Sequence, residues 1–142
     1  MSEALSSQPQ VLYLISPTVT NQQLNKLFAA SWPQHNWRDF QPLLSRSLTY
    51  ICAYQAEQLI GFINLAWDGG LHAFVLDTTV HPELRRRGIG RHLVKQVVAI
   101  AHKQRVEWVH VDFDKSLRDF YLECGFRLTE AGLIDVGAIG CA

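Results

Sequence analysis

The pattern of apolar and polar positions along the chain predicts strands and helices in a definite order. Runs rich in β-branched and aromatic residues, bounded by turn residues, are typical of strands. Such runs lie at 11–15, 48–54, 59–67, 71–80 and 108–113, with short final strands at 126–128 and 133–136. Apolar residues at helical spacing predict helices at 20–31, 37–44, 88–103 and 115–124. The order up to the first final strand is therefore β-α-α-β-β-β-α-β-α-β, an α/β pattern.

The connections between these elements predict a mixed sheet. The turns between the three middle strands are short, and Asp68-Gly69-Gly70 is typical of a hairpin, so these strands should form an antiparallel meander. The strand 108–113 follows a helix, which predicts that it runs parallel to the strand 71–80. Gly61 lies inside a predicted strand and is a candidate β-bulge.

The composition is that of a single folded domain. The chain has 142 residues, of which 48% are hydrophobic and 18% are charged. We expect a disordered leader at 1–10, rich in Ser and Gln, and one domain over 11–142. No signal peptide is visible, and no apolar run reaches the roughly 18 residues that a membrane span needs. We therefore expect a cytoplasmic protein with no membrane partner.

The cysteines indicate neither a disulfide framework nor a zinc site. Cys52, Cys124 and Cys141 are odd in number and contain no Cys-x-x-Cys spacing. Buried or free thiols in a reducing cytoplasm are the simpler interpretation. No metal cofactor is expected.

Positive charge is concentrated in one segment, although the formal net charge of the chain is zero. From Arg85 to Arg105 there are seven Lys or Arg residues and no Asp or Glu. Zero net charge argues against a general nucleic-acid binder, which usually carries a basic excess. A basic helix start is instead a natural phosphate site, because the first N–H groups of a helix lack internal partners. Gly88 and Gly90 would let a ligand approach the backbone closely.

The spacing of the glycines excludes two common phosphate motifs. A P-loop is absent, because no Gly-Lys-Ser/Thr follows the first glycine at the required spacing. The third glycine of a dinucleotide-binding fingerprint would fall on Leu93. The remaining pattern, Arg85-x-x-Gly88-x-Gly90, resembles the acyl-CoA pyrophosphate loop of the GNAT family of N-acetyltransferases.

A second stretch strengthens this resemblance. From Asp114 to Phe126, a predicted helix carries Tyr121 four residues before Gly125-Phe126, as in the later motif of that family. The resemblance extends over residues 11–136 and implies the GNAT-type acyl-CoA N-acyltransferase fold. In that fold the sheet is mixed, helices flank it, and two parallel central strands splay apart. Here those strands would be 71–80 and 108–113.

The resemblance implies acetyl-CoA as the acyl donor and suggests which residues bind it. The pyrophosphate would lie on the backbone N–H groups and arginine side chains of one loop. The pantetheine arm would follow the strand edge at Thr79 and Val80, where the Val80 N–H could polarise the thioester carbonyl. Asp114 stands where the family often has Asn; it can accept a pantetheine amide hydrogen bond but cannot donate one. The loop residues are Arg85, Arg86, Arg87, Gly88, Ile89, Gly90 and Arg91.

The implied reaction is direct attack of an amine on the thioester. Tyr121 is the candidate general acid, which would protonate the departing thiolate. The general base stays open between Asp77, three residues before Val80, and His110 on the facing strand, because histidine is a common general base near neutral pH. A base acting through water is a further alternative. His72 and His81 are weaker candidates, and His81 is expected to cap the turn that begins at Pro82.

The acceptor would be a primary amine of a small molecule or a peptide. Trp32, Trp37, Trp67 and Phe74 could form an aromatic acceptor pocket, or could simply pack in the core and its rim. A polycationic acceptor would need the carboxylates of Asp39, Asp68 and Asp77 to converge in space.

Two alternatives to catalysis stay open. One is a CoA-binding sensor or regulatory module of the same fold. The other is a basic interaction domain that binds RNA or an acidic protein through Arg85–Arg87, against which zero net charge argues. Small enzymes of this fold often dimerise, so a homodimer is among the expected assemblies.

Overall fold

A computed structural model describes residues 9–139 of the chain as two compact units, 9–111 and 112–139. Most of the predicted leader, residues 1–8, lies outside the described residues. Pro9 and Gln10, its last two residues, are exposed and have no regular structure.

The first unit contains a mixed sheet of five strands in the order β1-β2-β3-β4-β5. β1, β2, β3 and β4 pair in antiparallel fashion, and β5 pairs parallel to β4. This confirms the predicted meander and the predicted parallel strand that follows a helix. The strands are β1 (Leu12–Ile15), β2 (Thr49–Gln55), β3 (Gln58–Trp67), β4 (His72–Val80) and β5 (Trp108–His110).

Three helices accompany this sheet: α1 (Asn21–Ser31), α2 (Gln41–Arg46) and α3 (Ile89–Lys103). α1 begins with a capping box, in which Thr20 and Gln23 each bind the other's backbone N–H. α1 ends at Ser31, two residues before Pro33, as the restriction before proline predicts.

The second predicted helix, 37–44, is wrong at its start, because α2 begins only at Gln41. Residues 37–40 form a loop whose backbone is bound by side chains. Asn25 binds both the N–H and the C=O of Arg38, and Asp39 accepts a hydrogen bond from the Gln41 N–H. These side-chain bonds occupy the groups that a helix would use.

Each face of the sheet carries buried residues. On the face of α1 and α2, Phe28 packs edge-to-face on Phe40 with ring centroids 4.9 Å apart. Cys52 is fully buried on that face, and desolvation raises the pKa of its thiol to about 12, so it stays protonated and unreactive. The cluster consists of Val19, Leu24, Leu27, Phe28, Phe40, Leu44, Cys52, Leu59 and Phe62.

On the other face, a glycine brings α3 close to the sheet. A Cβ placed on Gly61 would lie 3.1 Å from the Ala53 Cβ and 3.3 Å from Cγ2 of Ile89. The β2–β3 register shifts beside this residue, since Ala53 pairs with Gly61 and Tyr54 pairs with Leu59. The predicted bulge is therefore present, with its extra residue one position before Gly61.

β5 is shorter than predicted. The ladder between β4 and β5 ends at the pair Phe74–His110, and residues 111–113 are not in a strand. Within residues 9–111, the β5-facing edge of β4 from Val75 onward therefore has no strand partner. The edge of β4 is therefore open where the two central strands were predicted to separate.

The second unit contains α4 (Arg118–Glu123), preceded by the 3-10 turn Lys115–Leu117. Gly125 has a φ of 101° just past the helix, and the Phe126 N–H donates to the Tyr121 carbonyl. The predicted short strands at 126–128 and 133–136 are wrong. These residues have no strand structure, and Leu133 and Ile134 are 80% and 79% exposed. Two short strands without a third have little independent stability, which accounts for the difference.

In the part of the chain that the structure describes, no helix has both the length and the apolar character needed to cross a membrane.

Candidate active site

The predicted phosphate loop is an exposed turn that leads into an uncapped helix. The 3-10 turn Pro82–Leu84 follows β4, and His81 caps it by accepting a hydrogen bond from the Glu83 N–H, as predicted. Gly88 is the N-cap of α3 and has a φ of 83°, and no side chain caps the helix. The first backbone N–H groups of α3 therefore receive no hydrogen bond acceptor from a capping side chain.

The shape and charge of this loop suit an anion. A Cβ on Gly88 would meet no heavy atom within 4 Å, so the space above the glycine is open. Arg86 also has a left-handed backbone, with a φ of 63°. Turns of this kind direct backbone N–H groups into anion-binding concavities. Arg85, Arg86 and Arg87 are all exposed, whereas Ile89 is buried and anchors the first turn.

The Arg85 side chain binds protein carbonyls. Its Nε donates to the Val80 carbonyl and its terminal nitrogen to the Ser31 carbonyl, both at 3.4 Å. It therefore ties the end of β4 to the end of α1. Sequence reasoning assigned this side chain to the phosphates and missed the tie.

A bulge in β4 lies immediately before the loop. Phe62 pairs with Thr79, but Asn64 pairs with Leu76, so β4 contains one extra residue. Asp77 lies in this bulge with a φ of 57°. Bulges redirect side chains and often lie beside active sites. Sequence reasoning missed this bulge, since no glycine marks it.

The backbone orientation beyond the bulge follows from one hydrogen bond. The His81 N–H donates to the Ile60 carbonyl of β3 at 2.8 Å. Successive N–H groups of a strand point to opposite sides. The Val80 N–H therefore faces away from β3, toward the open edge of β4.

The Thr79 side chain is buried and connects two elements. Its hydroxyl accepts a hydrogen bond from the Trp32 indole N–H at 3.2 Å and donates to the Asp77 carbonyl at 3.0 Å. The residue is only 2% exposed. The end of α1 is thus hydrogen-bonded to the bulged part of β4.

Asp77 faces an arginine from the loop between α1 and α2. The closest oxygen of Asp77 is 3.8 Å from a guanidinium nitrogen of Arg38, and the two side chains are 27% and 48% exposed. Desolvation raises the pKa of Asp77, and the positive charge of Arg38 partly opposes that rise. Arg38 also lies over the Phe40 ring, 5.1 Å from its centroid.

One buried amide holds the loop that carries Arg38. The Asn25 Nδ2 donates to the carbonyls of Arg38 and Asn21, each at 2.8 Å. Its Oδ1 accepts from the Arg38 N–H at 2.9 Å and lies 2.8 Å from Nε2 of His35, which must be the donor. Sequence reasoning missed Asn25 and Arg38. A polar residue among the buried positions of α1 was the available signal.

The two candidate bases are separate in space. His110 pairs in register with Phe74 and stacks on its ring, with centroids 4.8 Å apart. Its Nε2 is 2.7 Å from Nδ1 of His72. Asp77 lies three residues farther along β4 than Phe74, or about 10 Å at the usual rise per residue.

The structure does not bring the four predicted aromatic pocket residues together. Trp67 pairs with Ala73, and Phe74 pairs with Ala66. The side chains of Trp67 and Phe74 therefore project from opposite faces of the sheet. Trp37 is 70% exposed. Trp32 contacts Thr79 and lines a surface pocket together with Pro33, Gln34 and His35.

The acidic residues do not converge either. Asp39 accepts hydrogen bonds from Asn21 and Gln41, which lower the pKa of its carboxyl. Asp68 accepts from the Gly70 and His72 N–H groups at the start of β4. Asp77 is five residues beyond His72, or about 17 Å along the strand. The predicted condition for a polycationic acceptor is therefore not met.

Tyr121 lies in an aromatic cluster of the second unit. It is buried, stacks on Phe113 with centroids 5.0 Å apart, and meets Phe120 and Phe126 edge-on at 4.9 and 5.7 Å. These rings fix the orientation of the phenol. Asp114 is exposed and precedes the 3-10 turn at the start of this segment.

Metal-ligating residues are not grouped in the region that the structure describes. Within 9–139, no three His, Cys, Asp or Glu side chains lie where they could hold one metal ion together.

The open mixed sheet, the bulged β4 and the Arg/Gly loop before α3 are the arrangement expected of a protein with the acetyltransferase fold. Comparison with known families agrees: the model of the Acetyltransferase (GNAT) family matches residues 18–126. The chain belongs to the GNAT family. It is accordingly an acyl-CoA-dependent N-acyltransferase.

Individual relatives support this assignment. An uncharacterized N-acetyltransferase, ycf52-like, of Prochlorococcus marinus is 26% identical over 137 residues, covering 92% of this chain and 76% of the relative. A GNAT family acetyltransferase of Streptococcus pneumoniae superposes with a TM-score of 0.72 at 24% identity, covering 89% of this chain and 99% of that one.

A second similar solved structure contains CoA. It is the aminoglycoside N-acetyltransferase AAC(6')-Iy in complex with CoA, with a TM-score of 0.71 at 16% identity, covering 91% of this chain and 95% of that one. At these identities, the two solved structures demonstrate the common fold alone.

Proposed function

We propose that the protein transfers an acetyl group from acetyl-CoA to a primary amine of a small molecule or peptide by direct attack. The observation that carries this proposal is the uncapped start of α3, where an open, left-handed Gly88 follows three exposed arginines. The loop 85–91 would hold the pyrophosphate through its backbone N–H groups, with Arg86, Arg87 and Arg91 adding charge. Arg85 would act mainly by holding β4 against α1.

The open edge of β4 supports the next step. The pantetheine arm would run along Thr79 and Val80, where the Val80 N–H points away from β3. That N–H would donate to the thioester carbonyl and stabilise the oxyanion that forms on attack. One preorganised donor of this kind typically contributes about 10²–10³ in rate.

Asp77 is our preferred general base. It lies in the bulge three residues before Val80, whereas His110 lies about 10 Å back along the sheet and shares a hydrogen bond with His72. Desolvation brings the pKa of Asp77 closer to neutrality, which improves a carboxylate as a base. The attacking amine would lose its proton to Asp77, directly or through one water.

Tyr121 would return a proton to the thiolate as the C–S bond breaks, so that CoA leaves as the neutral thiol. Its enclosure by Phe113, Phe120 and Phe126 supports this proposal, because a fixed phenol needs little reorganisation during the reaction. Asp114 would accept a hydrogen bond from a pantetheine amide. We further propose a cytoplasmic location, since the buried thiol of Cys52 suits a reducing compartment.

The test is thermal unfolding with and without acetyl-CoA, for the wild type and Gly90→Glu. Ligand at 100 times its dissociation constant stabilises by about 2.7 kcal/mol, which should raise the Tm by several degrees. Gly90→Glu should abolish that shift while the protein stays folded. The matched control is Ala99→Glu, which places the same charge on an exposed position of α3. Absence of any wild-type shift at millimolar acetyl-CoA would refute the binding site.

Turnover then separates an enzyme from a CoA sensor. Free CoA should be released when acetyl-CoA is mixed with a panel of primary amines. A protein that binds acetyl-CoA at this loop but acetylates no amine would be a sensor of the same fold.

A further inference from the structure

We propose that the acceptor is an amino acid, or an amine with a carboxylate one or two carbons away, whose carboxylate binds Arg38 while its amine lies at Asp77. This inference rests on the proposed function and names the substrate class of the same site. The observation behind it is that the bulge carboxylate and the loop guanidinium lie side by side and are both accessible.

The Arg38–Asp77 pair is loose enough to admit a ligand. Its closest N–O distance of 3.8 Å is about 1 Å longer than a charge-assisted hydrogen bond, which is about 2.7–2.9 Å. A guanidinium has five N–H donors in a fork that matches a carboxylate. With Arg38 about half exposed, that fork is accessible from solvent.

Contacts within the protein hold Arg38 in position without a ligand. Asn25 binds its backbone on both sides, through the N–H and the carbonyl. The Phe40 ring, itself fully buried, supports the guanidinium from below at 5.1 Å. A guanidinium held in this way loses little freedom when it binds a carboxylate, which favours affinity.

The charges match those of a zwitterion. An α-amino acid carries an ammonium and a carboxylate on one carbon, and the site offers a carboxylate and a guanidinium on neighbouring side chains. The pocket lined by Trp32, Pro33, Gln34 and His35 lies on the loop that leads to Arg38 and could receive the remaining side chain. A polycationic acceptor would instead meet the positive charge of Arg38, with Asp39 and Asp68 engaged elsewhere.

The test compares glycine and each of the eighteen L-amino acids with a primary α-amine with its own carboxamide as acceptor, using acetyl-CoA and measuring initial rates of CoA release. The α-amine of a carboxamide has a pKa of about 8 and is less basic than the α-amine of the free acid. More of it is unprotonated near neutral pH, so intrinsic reactivity alone favours the carboxamide. A preference for the free acid would therefore report carboxylate recognition. For the preferred side chain, we expect kcat/KM to be about 10- to 100-fold higher for the acid, as for a charged hydrogen-bonded pair.

Arg38→Gln should reduce that acid-to-amide ratio to near one. The control is Arg46→Gln, which removes a positive charge from an exposed position of α2 and should leave the ratio unchanged. Thermal unfolding of both variants verifies that they are folded. If Arg38 only stabilises the loop, its replacement lowers the rates with the free acid and with the carboxamide together. The acid-to-amide ratio is then unchanged, which overturns the inference.

The outcomes also separate this inference from the proposed function. Carboxamides or plain amines acetylated as well as the free acids would refute carboxylate recognition while leaving the acetyltransferase proposal intact. If no acid is acetylated and none raises the Tm of the acetyl-CoA-bound protein, the inference fails. Failure of acetyl-CoA itself to shift the Tm would refute the proposed function.

Discussion

The indole N–H of Trp32 donates a hydrogen bond to the hydroxyl of Thr79 at 3.2 Å, across 47 positions of sequence. Trp32 is the C-cap residue that follows α1, and Thr79 lies two residues beyond Asp77 in β4. This bond, together with that from Arg85 to the Ser31 carbonyl, joins the end of α1 to the end of β4. The loop that follows α1 is thereby positioned beside the bulge.

Trp32→Phe should weaken that junction while keeping an aromatic ring. The Thr79 hydroxyl loses its donor, and we expect the free energy of unfolding to fall by about 0.5–1.5 kcal/mol. Urea unfolding measures the loss. Trp37→Phe is the matched control, because Trp37 is 70% exposed, and should change stability by less than about 0.5 kcal/mol. Equal effects of the two variants would contradict a structural role for the bond.

Asn25→Ala should lower the free energy of unfolding more than Trp32→Phe does. It leaves the N–H and the carbonyl of Arg38 without their partner and removes the bonds to Asn21 and His35 as well. We expect a loss of about 2–4 kcal/mol, since more than one buried polar group becomes unsatisfied. Denaturant unfolding gives the value, and Asn36→Ala, at an exposed position of the same loop, serves as the comparison. A loss below about 1 kcal/mol would mean that water replaces Asn25 readily.

Asp77→Asn should lower activity and raise stability. The pKa of Asp77 is raised in the folded state, so the native protein binds its proton more readily than the unfolded chain does. Its ionised form therefore destabilises the fold, and the free energy of unfolding falls as pH rises through the interval between the unfolded and folded pKa values. At neutral pH the variant should have a higher Tm than the wild type, and this gain should disappear below the unfolded pKa of Asp, about 3.9. A Tm gain that persists below that pH would contradict the assignment to ionisation.

Arg38→Gln should move the acidic limb of the pH–rate profile. A general base must be deprotonated, so kcat/KM falls as pH drops through the pKa of Asp77. Because Arg38 lowers that pKa, its removal should raise it and displace the limb to higher pH. Arg38→Lys keeps the charge and should restore much of the wild-type position. An unchanged limb in Arg38→Gln would point to His110 or water as the base.

Tyr121→Phe should reduce kcat at least about 10²-fold, the usual contribution of a positioned general acid. The phenyl ring keeps the contacts with Phe113 and Phe126, so the fold should be preserved. The affinity for acetyl-CoA, measured by the ligand-induced Tm shift, should stay near that of the wild type. An unchanged kcat would remove Tyr121 from the mechanism, and a lost Tm shift would reassign it to cofactor binding.

Several features of the protein followed from the amino-acid sequence alone. The steps of four, four and three between Ile89, Leu93, Val97 and Ile100 predicted α3. The meander was also predictable, because short turns leave adjacent strands one way to pair. Such features depend on neighbours in the chain, and their signals are therefore local.

Tertiary structure decided the rest. The Arg38–Asp77 pair, the Trp32–Thr79 bond and the bulge in β4 join positions far apart in the chain, and no periodicity reports such contacts. The same holds for the end of β5 and for the missing final strands, since a β-branched run forms a strand only where a partner edge is available. Hydrophobic spacing thus determined the elements, while long-range hydrogen bonds and charges determined how the loop after α1 faces the bulge.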